Sequence, residues 1–388
     1  MEPIRALGAM SGTSLDGVDA AEIVTDGETI HGLGPSRYLP YSDSDRAVIR
    51  AALGRWPGET GVSDAAEAVE TVHARLLARP CFAQAQLVGF HGQTLAHDPA
   101  NRRTHQAGDG AVLAEVLERS VVWDFRSADV TLGGEGAPLA PAYHFACARH
   151  IGARAPVAFL NLGGVGNLTW IDPSAADMSA PGAMLAFDTG PANAPIDDLC
   201  MDWLGEPFDR DGALAREGVA DRDLVAGLMR HPFFARMPPK SLDRDAWKLA
   251  GAGIDALPPS HAAATWVAVI AASVAAGLGA CPAIPDRVLV CGGGRRNPAI
   301  MEALGAALPC AVDAVEEAGL DGDMLEAQAF AFLAVRVLRG LPTSFPSTTG
   351  VRAQIGGGTV SHPSAGASVD SPSANARHGG GRRVIGRR

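Results

Sequence analysis

A stretch near the N-terminus constrains the fold more than any other part of this chain. It is Gly8-Ala-Met-Ser-Gly-Thr-Ser-Leu-Asp-Gly-Val-Asp-Ala-Ala-Glu-Ile23, in which apolar residues flank a cluster of glycines, hydroxyls and carboxylates. The pattern predicts two strands joined by a tight turn, where Gly12 and Gly17 let backbone N–H groups approach an anion. The turn either holds a phosphate group or is an ordinary hairpin turn rich in Gly, Ser and Asp.

The side chains of this turn favour a nucleotide as the anion. Thr13 and Ser14 supply hydroxyl donors, and Asp16 or Asp19 could hold Mg²⁺ directly or through water. No Lys follows the glycines, so the turn is not a Walker-type P-loop. Backbone and hydroxyl donors would therefore hold the phosphates. The residues expected to contact the nucleotide here are Gly12, Thr13, Ser14, Leu15, Asp16, Gly17, Val18 and Asp19.

Length and charge narrow the class of protein. A chain of 388 residues exceeds the usual size of one hydrophobic core, so we expect two domains with a ligand cleft between them. The formal net charge of −11 argues against nucleic acid or an anionic membrane as partner, and an anionic substrate would need local cations. Six Cys without a C-x-x-C pair, and no signal-like N-terminus, indicate the reducing cytoplasm.

One segment raises the question of a membrane span. Leu257 to Pro285 carries no formally charged residue, and the run from Ala262 to Ala280 is long enough to cross a bilayer. However, Ala and Gly dominate this run, which lacks the Leu and Phe density of a membrane helix. We therefore predict a helix buried inside the protein.

Glycine-rich turns recur along the chain. A strand over Val157–Leu162 leads into Gly163-Gly-Val-Gly-Asn167, which is a weak echo of the first strand-turn-strand. A further strand, Asp286–Cys291, leads into three glycines and a helix from Ala299, which suits a nucleotide phosphate or ribose. We expect domains at 1–132 and 133–360, with a disordered tail at 361–388. The additional nucleotide contacts expected in these turns are Gly163, Gly164, Gly292, Gly293, Gly294 and Asn297.

Taken together, the motifs resemble those of anhydro-N-acetylmuramic acid kinases. The resemblance runs in order over roughly residues 5–358, which makes it far more specific than one glycine turn. Its motifs are Gly8–Asp19, His91-Gly-Gln-Thr94, Asp124-Phe-Arg126, Gly133-Gly-Glu-Gly-Ala-Pro-Leu139, Leu160-Asn-Leu-Gly-Gly164, Phe187-Asp-Thr-Gly-Pro191, Cys291-Gly-Gly-Gly294 and Pro346-Ser-Thr-Thr-Gly350.

The resemblance implies a fold and a reaction. The fold would be α/β, the two-domain ATPase fold of actin, hexokinase and Hsp70, with an inter-domain cleft. The reaction would use ATP, with Mg²⁺, and water to convert 1,6-anhydro-N-acetylmuramic acid to N-acetylmuramic acid 6-phosphate in cytoplasmic cell-wall recycling. The expected partners are thus a small amino sugar and water, and the oligomeric state is left open, with a homodimer as one option.

Asp188 is the candidate catalytic base. Opening the anhydro bridge requires water to attack the anomeric carbon and to lose a proton, while the γ-phosphoryl group of ATP captures the departing O6. One carboxylate would suffice, and Asp188 stands in the motif that holds the base in the family, at a predicted turn after an apolar run. The alternative is that Asp188 stabilises its own loop as an Asx-turn.

Three further residues are candidates for substrate binding. Arg126 could fork onto the lactyl carboxylate of a muramic sugar, or could instead form a surface pair with Asp124. Thr94 and Glu326 match sugar-contacting positions of the family, although Glu326 could equally cap a helix that begins near Met324. His91 and His97 have no metal-ligand partners at credible spacing, and we interpret them as structural.

The chain departs from the family pattern in three places. Ala192 replaces a glycine after Pro191, Leu242-Asp-Arg244 replaces Thr-Gly-Arg, and Glu135 stands where Gln is usual. None of these removes a candidate catalytic group. Alternative functions are another sugar or acetate kinase of the same fold, an inactive homologue, and a non-catalytic, nucleotide-binding regulator.

Overall fold

The computed structural model describes residues 1–12, 14–242, 247 and 252–364. Thr13 of the first glycine-rich turn, Asp243 and Arg244, and residues 365–388 of the expected tail lie outside the described residues. The strands are β1 Ile4–Ser11, β2 Gly17–Thr25, β3 Ile30–Pro40, β4 Leu87–Asp98, β5 Arg103–Ala107, β6 Ser120–Trp123, β7 Val157–Leu162, β8 Val165–Ile171, β9 Met184–Pro191, β10 Arg287–Cys291, β11 Ala311–Ala314 and β12 Thr359–Ser361.

Helices connect and cover these strands. Within the described residues they are α1 Asp43–Ala51, α2 Val62–Leu77, α3 Gly110–Leu117, α4 Ser127–Thr131, α5 Pro141–His150, α6 Asn193–Leu204, α7 Ala213–Glu217, α8 Arg222–Leu228, α9 Ala252–Asp255, α10 Pro259–Leu278, α11 Pro298–Ala307, α12 Leu325–Leu338 and α13 Pro346–Thr349.

The strands form two sheets with the same internal order. In the first, β3, β2 and β1 are antiparallel neighbours and β4 and β6 continue in parallel with β1; β5 pairs with β4, and β12 with β6. In the second, β9, β8 and β7 are antiparallel neighbours and β10 and β11 continue in parallel with β7. The repeated order, with helices on both faces, agrees with the predicted α/β fold of the actin and hexokinase class.

Helices α5 and α12 lie between the two sheets and share one hydrophobic core with both. That core includes Leu87 and Val122 from the first sheet, Phe159 from the second, and Phe330 from α12. Outside the first sheet, α2 and α3 cover a separate core, and outside the second, α6, α10 and α11 cover another. The molecule is therefore layered as helix, sheet, helix, sheet and helix.

Glycines on two strands allow α12 to lie directly on the first sheet. A Cβ atom at Gly8 of β1 would collide with the Ala327 carbonyl oxygen, and one at Gly89 of β4 would collide with that of Phe330. Both obstacles are helix backbone, which cannot swing away as a flexible side chain can. The sheet-to-helix distance here depends on the absence of two side chains.

The apolar segment singled out in the sequence is α10. By length and composition it is the one helix among the described residues that could cross a membrane, and 72% of its most apolar window is buried inside the protein. Core helices of globular proteins share this composition. Its packing against β9, α6 and α11 agrees with the buried-helix prediction.

Two structural expectations need correction. The segment Phe187–Pro191 is not a turn: it lies within β9, and its residues pair with β8 across a β-bulge at Gly166 and Asn167. The expected tail begins too early, because Ser361 still belongs to β12 and pairs with Val121 of β6. The domain boundaries at 132 and 360 stay a prediction, and α12 and β12 both pack on the first sheet.

We predict that Gly8→Ala lowers the free energy of unfolding by about 1–3 kcal/mol or more, because the new methyl group has to displace helix backbone. Urea unfolding followed by circular dichroism measures this. The matched control is Gly305→Ala on α11, where a Cβ meets nothing within 4 Å. That variant should be neutral or more stable by up to about 1 kcal/mol, as expected for Gly to Ala in a helix. Equal stabilities of the two variants would contradict the close-packing interpretation.

Candidate active site

The turn between β1 and β2 is organised by its own polar groups. Leu15 adopts a left-handed backbone conformation with a φ of 58°, and its N–H donates to the Gly12 carbonyl at 3.2 Å. The Asp16 carboxylate accepts from the Ser14 hydroxyl at 2.8 Å and from the Gly17 N–H at 3.0 Å. Leu15 and Val18 are buried in the core, so both anchor the turn in the protein interior.

A cavity of about 650 Å³ lies between the two sheets at this turn. It brings together Ser14 and Asp16 of the first sheet with glycine turns of the second. The predicted nucleotide contacts that line it are Ser14, Asp16, Gly163, Gly164, Gly293 and Asn297. Its walls also contain Arg210 and Arg296, cations that the sequence patterns did not single out. They contribute positive charge to a lining that also contains the carboxylates of Asp16, Asp197, Asp209 and Asp211.

Other predicted nucleotide contacts have a packing role as well or do not line this cavity. Gly294 leaves no room for a side chain, since a Cβ would collide with Leu162 and Asn193. Asn297 caps α11, because its side-chain oxygen accepts from the N–H groups of Ala299 and Ile300. The predicted contacts that are absent from the lining are Gly12, Leu15, Gly17, Val18, Asp19, Gly292 and Gly294.

A second cavity of about 480 Å³ adjoins the first, and Gly293 lines both. Arg126 enters it from the first half of the chain, Glu326 from α12, and Asn161 and Asn167 from the second sheet. Predicted substrate and nucleotide residues therefore face two adjoining spaces. Thr94 does not line either space, and its hydroxyl accepts from Gln106 Nε2 at 3.2 Å.

Arg126 is held by two hydrogen bonds. Its Nε donates to His91 Nε2 at 2.9 Å, and its Nη1 donates to the Gly136 carbonyl at 2.6 Å. Since Arg only donates, His91 Nε2 must be the acceptor, and the proton lies on Nδ1, which donates to the Gly92 carbonyl at 2.8 Å. Burial and the Arg126 charge hold the pKa of His91 well below its usual range. His91 is thus a neutral support for Arg126.

Asp188 lies on β9 beside Asn167 of β8. Its Oδ1 accepts from Asn167 Nδ2 at 2.9 Å, and its Oδ2 accepts from the Leu242 N–H at 2.8 Å. Burial raises the pKa of Asp188 to about 6, opposed by these two hydrogen bonds. Asn167 itself lines the second cavity. Asp188 is therefore an oriented carboxylate beside that cavity, and the Asx-turn interpretation of Asp188 is wrong because the residue lies within a strand.

Glu326 lies in the first turn of α12, where no side chain caps the helix. The carboxylate keeps contact with solvent through the second cavity, while the surrounding protein raises its pKa above the usual value and Arg126 opposes this rise. Asn161 Nδ2 lies 3.5 Å from Glu326 Oε1. Arg126 and Glu326 thus bring opposite charges to one cavity.

Like charges converge on Asp19 at the edge of the cleft. Burial raises the pKa of Asp19 to about 7, and the charges of Asp16, Glu326, Asp323 and Asp321 add to this rise. A cation would relieve such repulsion, and oxygen ligands from one or two carboxylates suit Mg²⁺ with a nucleotide. The donor chemistry fits the ion, although the described residues contain no group of three or more His, Cys, Asp or Glu side chains that could hold a metal by themselves.

Comparison with known proteins decides the family. The protein-family model for anhydro-N-acetylmuramic acid kinase matches residues 4–362 of this chain. The chain belongs to the anhydro-N-acetylmuramic acid kinase family. Relatives with that name include proteins from Roseobacter denitrificans, 59% identical over 93% of this chain and 95% of the relative, and from Cereibacter sphaeroides, 62% identical over 93% and 97%.

A solved structure with a similar arrangement is the activator of the 2-hydroxyisocaproyl-CoA dehydratase from Clostridium difficile with bound ADPNP. It has a TM-score of 0.44 and 12% identity, over 87% of this chain and 96% of that one. Membership of the kinase family confirms the resemblance drawn from the ordered motifs. The roles of individual residues stay predictions.

We predict that Asp19→Asn raises the melting temperature of the free protein at pH 8 by about 2 °C or more. The folded-state pKa of about 7 lies above the ordinary value of 3.8, so the charged carboxylate destabilises the fold above pH 7. As the pH falls from 7 toward 4, the wild-type residue takes up a proton in the folded state, and the benefit of Asn shrinks.

Differential scanning fluorimetry at pH 8 and pH 5 without nucleotide measures this difference. Asp286→Asn, at an exposed position, is the control and should change the melting temperature little at either pH. A gain from Asp19→Asn that is the same at both pH values would contradict the repulsion described above.

Proposed function

We propose that this protein is an ATP-dependent kinase that opens the 1,6-anhydro ring of anhydro-N-acetylmuramic acid with water and phosphorylates O6, giving N-acetylmuramic acid 6-phosphate. The observation that carries this proposal is family membership over residues 4–362. The two adjoining cavities support it, since one is lined by glycine turns and Arg residues and the other by Arg126 and Glu326. ATP would occupy the first and the sugar the second.

Asp188 would act as the general base. Water attacks the anomeric carbon, Asp188 takes a proton from that water, and the bond between the anomeric carbon and O6 breaks. The electron pair left on O6 attacks the γ-phosphorus of ATP, and ADP leaves. A base with a pKa of about 6 is mostly ionised at neutral pH and still a useful proton acceptor. Asn167 and the Leu242 N–H hold its two oxygens in a fixed orientation.

Arg126 would bind the lactyl carboxylate that distinguishes muramic acid from glucosamine. Only Nε and Nη1 of its guanidinium are used in the bonds to His91 and Gly136. Since a guanidinium has five N–H donors, others are left for a carboxylate. The neutral state of His91 keeps a second positive charge away from Arg126, so Arg126 stays the local cation for the sugar.

The proposed function also includes a metal ion and a cellular compartment. Mg²⁺ would be held by Asp16 or Asp19 together with nucleotide phosphates, where it would neutralise charge that develops in phosphoryl transfer. A kinase that uses ATP and an amino sugar released from the cell wall fits the cytoplasm, as the cysteine usage also suggests. We also propose a homodimer as the assembly.

We predict that Asp188→Asn lowers turnover by about 10²- to 10⁴-fold with ATP affinity largely kept, because the amide preserves shape and loses basicity. Mass spectrometry of the product formed from ATP, Mg²⁺ and anhydro-N-acetylmuramic acid in ¹⁸O-labelled water measures this. One labelled oxygen in the sugar product is the result expected for wild type.

Asp177→Asn, at an exposed position in the loop between β8 and β9, is the matched control and should keep normal turnover. Near-normal turnover of Asp188→Asn would exclude Asp188 as the base. Absence of labelled 6-phosphate from the wild-type protein would refute the proposed reaction itself.

We predict that Arg126→Ala raises KM for the muramic sugar by about 10- to 100-fold, because a lost charge-assisted fork removes about 1.5–3 kcal/mol. KM for ATP should change little. Steady-state assays with 1,6-anhydro sugars of the muramic and glucosamine types measure the effect. An equal penalty for both sugars would contradict recognition of the lactyl group.

A further inference from the structure

The segment Glu135–Gly136 connects the two halves of the candidate site. The Gly136 carbonyl accepts from Arg126 Nη1, and the Gly136 N–H donates to Asp129 Oδ1 at 2.6 Å. The Glu135 N–H donates to the Thr349 carbonyl at 2.7 Å, and its own carbonyl accepts from His97 Nε2 at 2.8 Å. The backbone at Glu135 is therefore fixed on both sides of its side chain.

The segment Lys240–Leu242 contacts Asp188 at two points. The Asp188 N–H donates to the Lys240 carbonyl at 2.9 Å, and the Leu242 N–H donates to Asp188 Oδ2 at 2.8 Å. Ser241, between these two contacts, donates its hydroxyl to Glu135 Oε2 at 2.9 Å. Glu135, which belongs to the segment that connects the two halves of the site, thus also fixes the segment that orients Asp188.

We propose that Glu135 is a positioning residue for Asp188, because its carboxylate fixes the Lys240–Leu242 segment that holds the Asp188 carboxylate and backbone. This inference rests on the proposed function of Asp188 as general base. It makes the orientation of the base depend on a side chain from the Arg126 side of the cleft. Binding of the sugar by Arg126 and activation of water by Asp188 are then connected through one dipeptide.

The charge of Glu135 has a second effect on Asp188. It raises the pKa of Asp188 further above the value set by burial, while Lys240 lowers it. Removal of the Glu135 charge should therefore lower this pKa, and the acid limb of the kcat/KM profile should move to lower pH. A movement of the acid limb to higher pH would require that residue 135 carry a positive charge in the wild-type protein.

The other elements packed on β9 are β8, α5, α10 and α13. β8 brings the neutral Asn167, and α13 has no ionisable side chain within Pro346–Thr349. On α10 the ionisable residue is His261, which accepts from the Val219 N–H. On α5 the ionisable residues are Tyr143, His144, Cys147, Arg149 and His150, and none of them is among the charges that shift Asp188.

Two substitutions separate the hydrogen bond from the charge. Glu135→Gln keeps an oxygen acceptor for Ser241 and removes the charge, so the acid limb of kcat/KM should move down by about 0.5–1 pH unit. Ser241→Ala keeps the charge and removes the hydrogen bond, so kcat at the optimal pH should fall by about 3- to 10-fold while the acid limb moves little. Glu67→Gln, at an exposed position on α2, is the matched control and should change neither quantity.

The measurement is the pH dependence of kcat and kcat/KM for the full-length protein with ATP, Mg²⁺ and anhydro-N-acetylmuramic acid. Melting temperatures and ATP affinity confirm that each variant is folded. An acid limb of Glu135→Gln that coincides with wild type, or an unchanged kcat for Ser241→Ala, would overturn the corresponding part of the inference. A wild-type protein that makes no product would refute the proposed function instead, so the two failures are distinguishable.

Discussion

The close contact between α12 and the first sheet is the constraint on which the rest of the structure depends. Gly8 and Gly89 allow helix backbone to rest on strand backbone without an intervening side chain. The same helix carries Phe330 into the core shared by both sheets and presents Glu326 to the second cavity. A shift of this helix would therefore change the spacing of the sheets and the placement of a substrate-binding candidate together.

The electrostatics of the cleft depend on the positions of a few Arg side chains in an acidic chain. Arg126 faces the second cavity, while Arg210 and Arg296 line the first cavity. Arg296 also forms an ion pair with Asp323, which belongs to the acidic group around Asp19. Carboxylates therefore accompany the cations in the cleft, in keeping with the net charge of −11, and an anionic ligand of the first cavity would depend on Arg210 and Arg296.

Much of the fold was predictable, because glycine-rich turns and apolar runs are local signals. The strands around the first turn, the buried helix α10 and the helix that begins near Met324 follow directly from such patterns. The mainly exposed or half-buried β3 lacks a continuous apolar run and was missed. Asp-Thr-Gly-Pro at 188–191 has turn composition but is held extended by pairing with β8, an interaction between distant residues.

The sequence predicts the reacting and binding residues of the candidate site better than the residues that hold them in place. Asp188 and Arg126 could be chosen because the expected reaction and sugar need their groups and the family motifs contain them. Glu326 could be chosen because it matches a sugar-contacting position of the family. The sequence predicts only a structural role for His91, because its contact with Arg126 spans 35 residues of sequence and no local pattern encodes it. Arg210 and Arg296 are likewise functional candidates that only the folded arrangement reveals.

The return of the chain to its first sheet has a consequence for synthesis on the ribosome. β1 and β4 emerge early, but the helix that covers their glycine face is residues 325–338, and β12, which pairs with β6, follows at 359–361. At about 5–20 residues per second, an interval of tens of seconds or less separates these events. During that interval the glycine-bearing face of the first sheet lacks α12, so the apolar strand surface that α12 covers stays exposed until residues 325–338 have been made.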